Sequence, residues 1–391
     1  MKPMIRNNIC MNAHGPGCEA LTEGWIARAL EGKPAIRSAV GTSAKKYRSV
    51  LVLGGSTGYG LASRIVAAFC LGADTVSVSF EREPSDKRAG TPGWYNNRAF
   101  DRAAAGAGLR SWGLDADAFA DSTRDAVIAL ARDKGLIFDL VVYSLASPVR
   151  TDPKTGQMYR SVIKPLDRPY EGTNLDVFSG KISKAMVQPA SAEEAEHTVK
   201  VMGGEDWELW IRALRNTGVL APDAETLAYT YIGPEHSWPI YRSGALGKAK
   251  AHLEATARTL DSLLKPGGGA AWAAVMKAVV TRASAVIPVI PLYVSTLFKV
   301  MKEKGVHEDC LDQGLRLFRD RLLRKDVPTD PERRIRLDDL EMSPEIQSET
   351  TRRMMTVTEE NAEAVTDAEG FRTDFLQAHG FAVPGVEYGD D

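Results

Sequence analysis

A five-residue apolar run, "SVLVL" at Ser49–Leu53, leads without a gap into "GGSTGYG" and then into a stretch where Leu61, Ile65 and Phe69 recur at helical spacing. A strand that hands over to a helix across so few residues must turn sharply, and glycine permits such a turn. The run admits two readings. Gly54, Ser56 and Gly58 spell G-x-S-x-G, the turn that lifts a nucleophilic serine in α/β-hydrolases. Gly54, Gly58 and Gly60 spell a loop in which the backbone turns, approaches a pyrophosphate and lets the helix pack close to the strand.

The surroundings point to a fold class. Short apolar runs and helical stretches alternate from Ser49 to Leu145: "TVSVSF" at Thr75–Phe80, a helix around Arg124 to Lys134, and "FDLVVYSLA" at Phe138–Ala146, a run apolar enough to be covered on both faces. This rhythm predicts an α/β, Rossmann-like doubly wound parallel sheet with helices on both faces. It breaks between Ser147 and Glu225, where a turn-rich segment precedes a helix around Ala192 to Thr217, and resumes with "TLAYTYIG" from Thr226. A helix from about Ala245 to Lys265 and a candidate strand "AAVMKAVVT" at Ala273–Thr281 follow. We therefore expect one large domain over 1–391, with a dinucleotide-binding core at 49–146 and 226–282 and an insertion at 147–225. Residues 283–391 form a substrate-side, largely helical region, with "RIRLDDLEM" as a late β element.

Charge and apolar runs narrow the function. Forty-nine basic against 51 acidic residues leave a net charge of −2, so no global field attracts nucleic acid or an anionic membrane. No stretch reaches the roughly 18 uninterrupted apolar residues of a spanning helix. The most apolar run, Ala285–Met301, carries Pro288 and Pro291 and reads as a buried turn and helix. With no signal-peptide pattern, a cytoplasmic location is expected, with Cys10, Cys18, Cys70 and Cys310 reduced. Cys10, His14 and Cys18 are suggestively spaced but too few for a zinc site, and no metal is expected.

A nucleophile elbow normally follows several strands, and few residues precede this loop. Asp139 and His236 still supply a triad in the right order, so a hydrolase using Ser56 remains the alternative. In the cofactor reading, Gly54, Gly55, Ser56, Thr57, Gly58 and Tyr59 form the loop, and the helix opening at about Tyr59 aims its N–H groups at the pyrophosphate. Phe80 and Glu81 end the second strand, where an acid accepts from a ribose 2′-hydroxyl; this favours NADH, while Arg82, Lys87 and Arg88 keep NADPH open. Asp117 and Ala118 follow the third strand, beside the adenine, although Asp117 also reads as an ordinary helix cap. Leu145 and Ala146 end the fourth strand at the edge where ligands of open sheets bind.

The sharper chemistry lies at 229–264. Tyr231 ends a strand, Tyr241 lies in the following loop, and on the next helix Leu246, Lys250, Leu253, Ala257, Leu260 and Leu264 share one stripe. Lys248 falls off it. A lysine on an apolar stripe either snorkels or serves a site. Ser243 and Gly244 interrupt the path, so the tyrosine comes from the loop and the lysine from the helix. His236, between "GPE" and "SWP", reads as a loop residue that competes only weakly as a general acid.

The glycine loop, the "YSLASP" strand end and the tyrosine with its lysine resemble the short-chain dehydrogenase/reductase superfamily, but Tyr241 and Lys250 are spaced Y-x₈-K rather than Y-x₃-K. That spacing, with "RNNICMNAHGPGC", "TPGWYNN", "VKVMGGEDWE", "YIGPE" and "VTRASAVIPVIPLY", resembles the trans-2-enoyl-CoA reductase and type V enoyl-acyl-carrier-protein reductase family over nearly the whole chain. The resemblance implies NADH-dependent reduction of the C2=C3 double bond of an enoyl-CoA or enoyl-carrier thioester, by a monomer. It implies Tyr241 as the active-site tyrosine, helped by Tyr231 at the substrate, and Lys250 as a cofactor and active-site lysine. It also places Val279, Val280 and Thr281 near the nicotinamide carboxamide. Ala251 stands where some members carry a second lysine. A nucleotide sensor without catalysis is the third reading, and the intact tyrosine and lysine oppose it.

Overall fold

Seven parallel strands form one sheet: β1 (Ser49–Leu53), β2 (Asp74–Ser79), β3 (Ser111–Asp115), β4 (Phe138–Tyr143), β5 (Leu220–Thr230), β6 (Ala270–Val275) and β7 (Ile335–Arg336). They lie in the order β7-β6-β5-β4-β1-β2-β3. The computed structural model describes residues 1–6, 9–43, 47–281 and 290–389. Arg282, Pro288 and the start of the Ala285–Met301 run lie outside the described residues. The order reverses direction between β1 and β4, and in open α/β sheets that switch point opens a crevice at the carboxyl ends of the strands.

Helices cover both faces because alternate strand residues point to opposite sides. Val50, Val52, Leu140 and Val142 pack with Leu61, Ile65 and Phe69 on one face. Leu51, Leu53, Val141 and Tyr143 pack with Val127, Trp207, Trp210 and Leu260 on the other. A third apolar cluster, with Tyr241, Leu246, Ala278, Val280 and Phe298, lies beyond the carboxyl ends of β5 and β6.

Three elements differ from expectation. The helix around Ala192–Thr217 is two helices, Ala192–Met202 and Glu205–Asn216. A Cβ on Gly204 would lie 2.3 Å from Thr256 Oγ1, so the glycines allow the chain to bend tightly against the helix Ala245–Leu264. Strand β5 begins at Leu220, with a register irregularity up to Glu225 that Pro222 and Asp223 disguise in the sequence. Strand β6 stops at Val275: the N–H of Lys277 goes to Gln313 Oε1 and that of Ala278 to Glu341 Oε2, so side chains take over from the ladder. The late β element is the edge strand β7. Among the described residues no helix is long and apolar enough to cross a membrane, and no group of His, Cys, Asp and Glu is placed to hold a metal ion.

Candidate active site

At the switch point the glycine loop leaves β1 and enters the helix Gly58–Ile65. Gly54 and Gly58 adopt left-handed φ values of 87° and 54°. A Cβ on Gly54 would sit 2.2 Å from the Ser144 carbonyl oxygen, and one on Gly60 2.0 Å from that of Gly54. The loop is thus pressed against the end of β4 with no room for side chains, leaving backbone N–H groups at the head of the helix. Thr57 occupies the N-cap position without making a side-chain cap bond. This cradle fits a pyrophosphate.

Ser56 donates its hydroxyl to Glu81 Oε1 at 2.7 Å, and Asn96 Nδ2 donates to the Ser56 carbonyl at 3.0 Å. Glu81 therefore stands beside the loop, just past the end of β2, with Phe80 exposed next to it. Leu145 packs against the position of a Gly54 Cβ, and Ala146 is exposed. Thr281 Cγ2 comes within 3.9 Å of the position of a Gly58 Cβ, so the Val279–Thr281 segment runs beside the loop. Asp117 and Ala118 follow β3 but are tied to their own surroundings: Asp117 Oδ1 accepts from the Phe119 N–H at 2.9 Å, and the Ala118 carbonyl accepts from Trp210 Nε1.

The hydrolase alternative fails on placement. Asp139 accepts from the N–H groups of Arg48 and Ser49 at the amino edge of the sheet, while Ser56 stands at the carboxyl edge. The Ser56 hydroxyl is bonded to Glu81, and His236 packs its ring on Tyr293, centroids 4.9 Å apart. Burial pushes His236 down to about 4, which unsuits it as a general acid.

Tyr241 closes a one-turn helix, Trp238–Tyr241, rather than lying in a loop, and Gly244 breaks the path before the helix Ala245–Leu264 begins. A Cβ on Gly244 would meet three carbonyl oxygens at 2.6–2.7 Å, so only glycine suits the break. Leu246, Leu253, Ala257, Leu260 and Leu264 are buried as their stripe requires, and Lys248 is exposed. The Lys250 ammonium donates to Thr230 Oγ1 at the end of β5 (3.3 Å) and stands 5.6 Å from the centre of the Tyr241 ring. Burial pushes Lys250 down to about 8. Burial, with the nearby Glu341 carboxylate, pushes Tyr241 up, so its phenol keeps its proton at neutral pH. The Tyr231 ring stands edge-on to that of Tyr241, centroids 5.1 Å apart at 87°.

Glu341 is the residue that sequence reasoning missed. Fully buried, it accepts from the Tyr231 and Tyr293 hydroxyls on Oε1 and from the Ala278 N–H on Oε2. In the sequence it is one more acid in "RIRLDDLEM", with no pattern to set it apart. The loop after β6 is also tied to the glycine loop, because Tyr59 donates its hydroxyl to the Lys277 carbonyl at 2.6 Å.

A glycine cradle at a switch point, an acid after the second strand and a tyrosine–lysine pair at the same edge of the sheet define a dinucleotide-dependent oxidoreductase of the Rossmann type. Comparison with known proteins narrows the class. Residues 88–323 match the model of the trans-2-enoyl-CoA reductase catalytic region, and residues 1–86 that of the NAD(P)H binding domain of trans-2-enoyl-CoA reductase. The chain is 53% identical to the trans-2-enoyl-CoA reductase (NADH) of Treponema denticola, over 99% of this chain and 97% of that one. It is 46% identical to an enoyl-acyl-carrier-protein reductase (NADH) of Opitutus terrae, over 100% of this chain and 98% of that one. The crystal structure of the Treponema denticola enzyme in complex with NAD matches with a TM-score of 0.95 over 99% of this chain and 96% of that one. The chain belongs to the trans-2-enoyl-CoA reductase family.

Residues 329–391 match a third model, called the enoyl reductase FAD binding domain. Its described residues offer no glycine-rich turn from strand to helix. After β7 the acids Asp338 and Asp339 pair with Arg336, Arg316 and Arg321. These side chains do not build a flavin cradle.

Proposed function

We propose that Tyr241 and Lys250 carry the chemistry of this chain, an NADH-dependent oxidoreductase that reduces the C2=C3 double bond of trans-2-enoyl thioesters. The observation that carries the residue assignment is the Lys250 ammonium, held by Thr230 and directed at the Tyr241 ring where β5 ends. NADH, when bound, supplies a hydride to C3 of the substrate. Negative charge then develops on the thioester oxygen, the Tyr241 hydroxyl donates to it, and the enolate takes a proton at C2, from Tyr241 or from water, to give the saturated thioester. Such a donor acts most strongly in a dry site, and Tyr241 is buried. Lys250 holds the ribose hydroxyls, and its positive charge favours proton donation by the tyrosine.

Gly54–Tyr59 cradle the pyrophosphate, Glu81 accepts from the ribose 2′-hydroxyl, Asp117 and Ala118 flank the adenine, and Leu145 and Ala146 line the ribose. Phe80 lies open beside Glu81 to take a planar ring. Val279, Val280 and Thr281 flank the nicotinamide carboxamide, with Tyr231 at the substrate. Of the insertion at 147–225, the part before Glu205 walls the acyl chain together with the described residues of 283–391, and the third apolar cluster supports this reading. The helix Glu205–Asn216 and β5 from Leu220 belong to the core. The same proposal has the chain act as a cytoplasmic monomer on CoA-bound or carrier-bound substrates. The test is NADH absorbance in the presence of crotonyl-CoA or a crotonyl carrier protein, with oligomeric state read by sedimentation. Turnover with either substrate supports the reading, and none with both rejects it.

A further inference from the structure

The Glu341 carboxylate has no part in the chemistry described so far, yet three segments meet on it. Oε1 accepts from Tyr231 at 2.9 Å and from Tyr293 at 2.6 Å, and Oε2 accepts from the Ala278 N–H at 2.7 Å. Gln347 Nε2 braces the cluster, donating to the Tyr293 oxygen at 3.1 Å and to the Glu341 carbonyl at 2.8 Å. A wholly buried carboxylate is tolerated when donors satisfy its lone pairs, and two phenols and a peptide N–H do so here.

A count of protons separates the two active-site tyrosines. A phenol has one hydrogen to donate. Tyr231 gives its own to Glu341, whereas the Tyr241 hydroxyl has no hydrogen-bond partner among the described residues. The two rings touch edge to face, so whatever fixes Tyr231 also fixes one side of Tyr241. Through Ala278 the same carboxylate holds the loop that leads to Val279–Thr281.

We propose that Glu341 is a positioning residue: it draws the Tyr231 proton away from the substrate and fixes that ring as the wall beside Tyr241, leaving Tyr241 as the single phenol that donates to the enolate oxygen. This rests on the enoyl-reductase reading and revises the part given there to Tyr231 by resemblance. Tyr231 shapes the site, and its hydroxyl is a tether.

The test is steady-state kinetics with NADH and crotonyl-CoA on wild type, Tyr231→Phe, Glu341→Gln, the double variant and Tyr241→Phe. Removing a direct oxyanion donor costs about 10²–10³ in kcat, so Tyr241→Phe loses that much while Tyr231→Phe and Glu341→Gln each lose less than about tenfold. Both of these raise KM by more than they lower kcat. Their double variant is no worse than the worse single one, because Tyr231→Phe removes the donor of the contact that Glu341→Gln weakens by taking away the carboxylate's charge, and that contact is the route by which the two residues act together. A Tyr231→Phe loss equal to that of Tyr241→Phe overturns the assignment, as do Tyr231→Phe and Glu341→Gln losses that multiply. If Glu341→Gln does not fold, Tyr231→Phe against Tyr241→Phe still decides. A wild type without enoyl-dependent NADH oxidation overturns the functional reading itself; an active wild type with a crippled Tyr231→Phe overturns only the tether.

Discussion

The two sides of the active site are positioned by different means. On the glycine-loop side, backbone meets backbone: Gly54 and Gly60 sit where any Cβ would strike a carbonyl oxygen at 2.2 and 2.0 Å. On the tyrosine side, side chains are held by other side chains, with Tyr231 and Tyr293 tied to Glu341 and Lys250 to Thr230. A backbone cradle is built from contiguous sequence and takes no substitution at its contact points. A side-chain network is assembled from distant segments, and it degrades by degrees as single contacts are removed.

Substitutions on each side test this contrast. The largest effect is expected from Tyr241→Phe, which removes the proposed oxyanion donor and should lower kcat about 10²–10³-fold while leaving the NADH Kd within about threefold. Stopped-flow fluorescence and steady-state assays read the two quantities separately, and a Kd that collapses with kcat would erase the division. Gly60→Ala comes next: overpacking costs about 1–3 kcal/mol, so NADH affinity should fall roughly tenfold or more, with a lowered Tm. Calorimetric titration checks this, and an unaltered affinity would mean that the loop is not a close-approach cradle.

A smaller effect is expected from pH. Lys250, pushed down to about 8, is charged below that value and loses its charge as pH rises through it. NADH binding should therefore weaken between pH 7 and roughly 9.5, and the dependence should flatten in Lys250→Met. The smallest effect is expected from Ser56→Ala. Loss of one hydrogen bond to Glu81 should raise the NADH Kd several-fold, in line with about 1.5 kcal/mol or less, and leave kcat nearly unchanged. Abolished turnover would return the serine to the chemistry.

The same contrast accounts for what the sequence could reveal. The glycine loop, Glu81 and the strand rhythm were legible because their spacing along the chain is their geometry. Lys250 was legible because an apolar helical stripe exposes a charge that does not belong on it. Glu341 was not: its partners lie 110, 48 and 63 residues away, at Tyr231, Tyr293 and Ala278, and no local pattern announces them. Helix Glu205–Asn216 read as the end of a long insertion helix, yet Trp207, Trp210, Ile211 and Leu214 are buried in the sheet's own core. Periodicity shows that a helix has an apolar face, but not which layer that face joins.

The central claim is that a hydride from NADH reaches C3 of an enoyl thioester while the tyrosine side manages the charge on its oxygen. Running the reaction with crotonyl-CoA and NADH carrying deuterium at both C4 positions of the nicotinamide, then locating the label in the product by NMR, tests it most directly. The account predicts one deuterium at C3 of butyryl-CoA and solvent hydrogen at C2. Label at C2, or free crotonate with the NADH unconsumed, would contradict it.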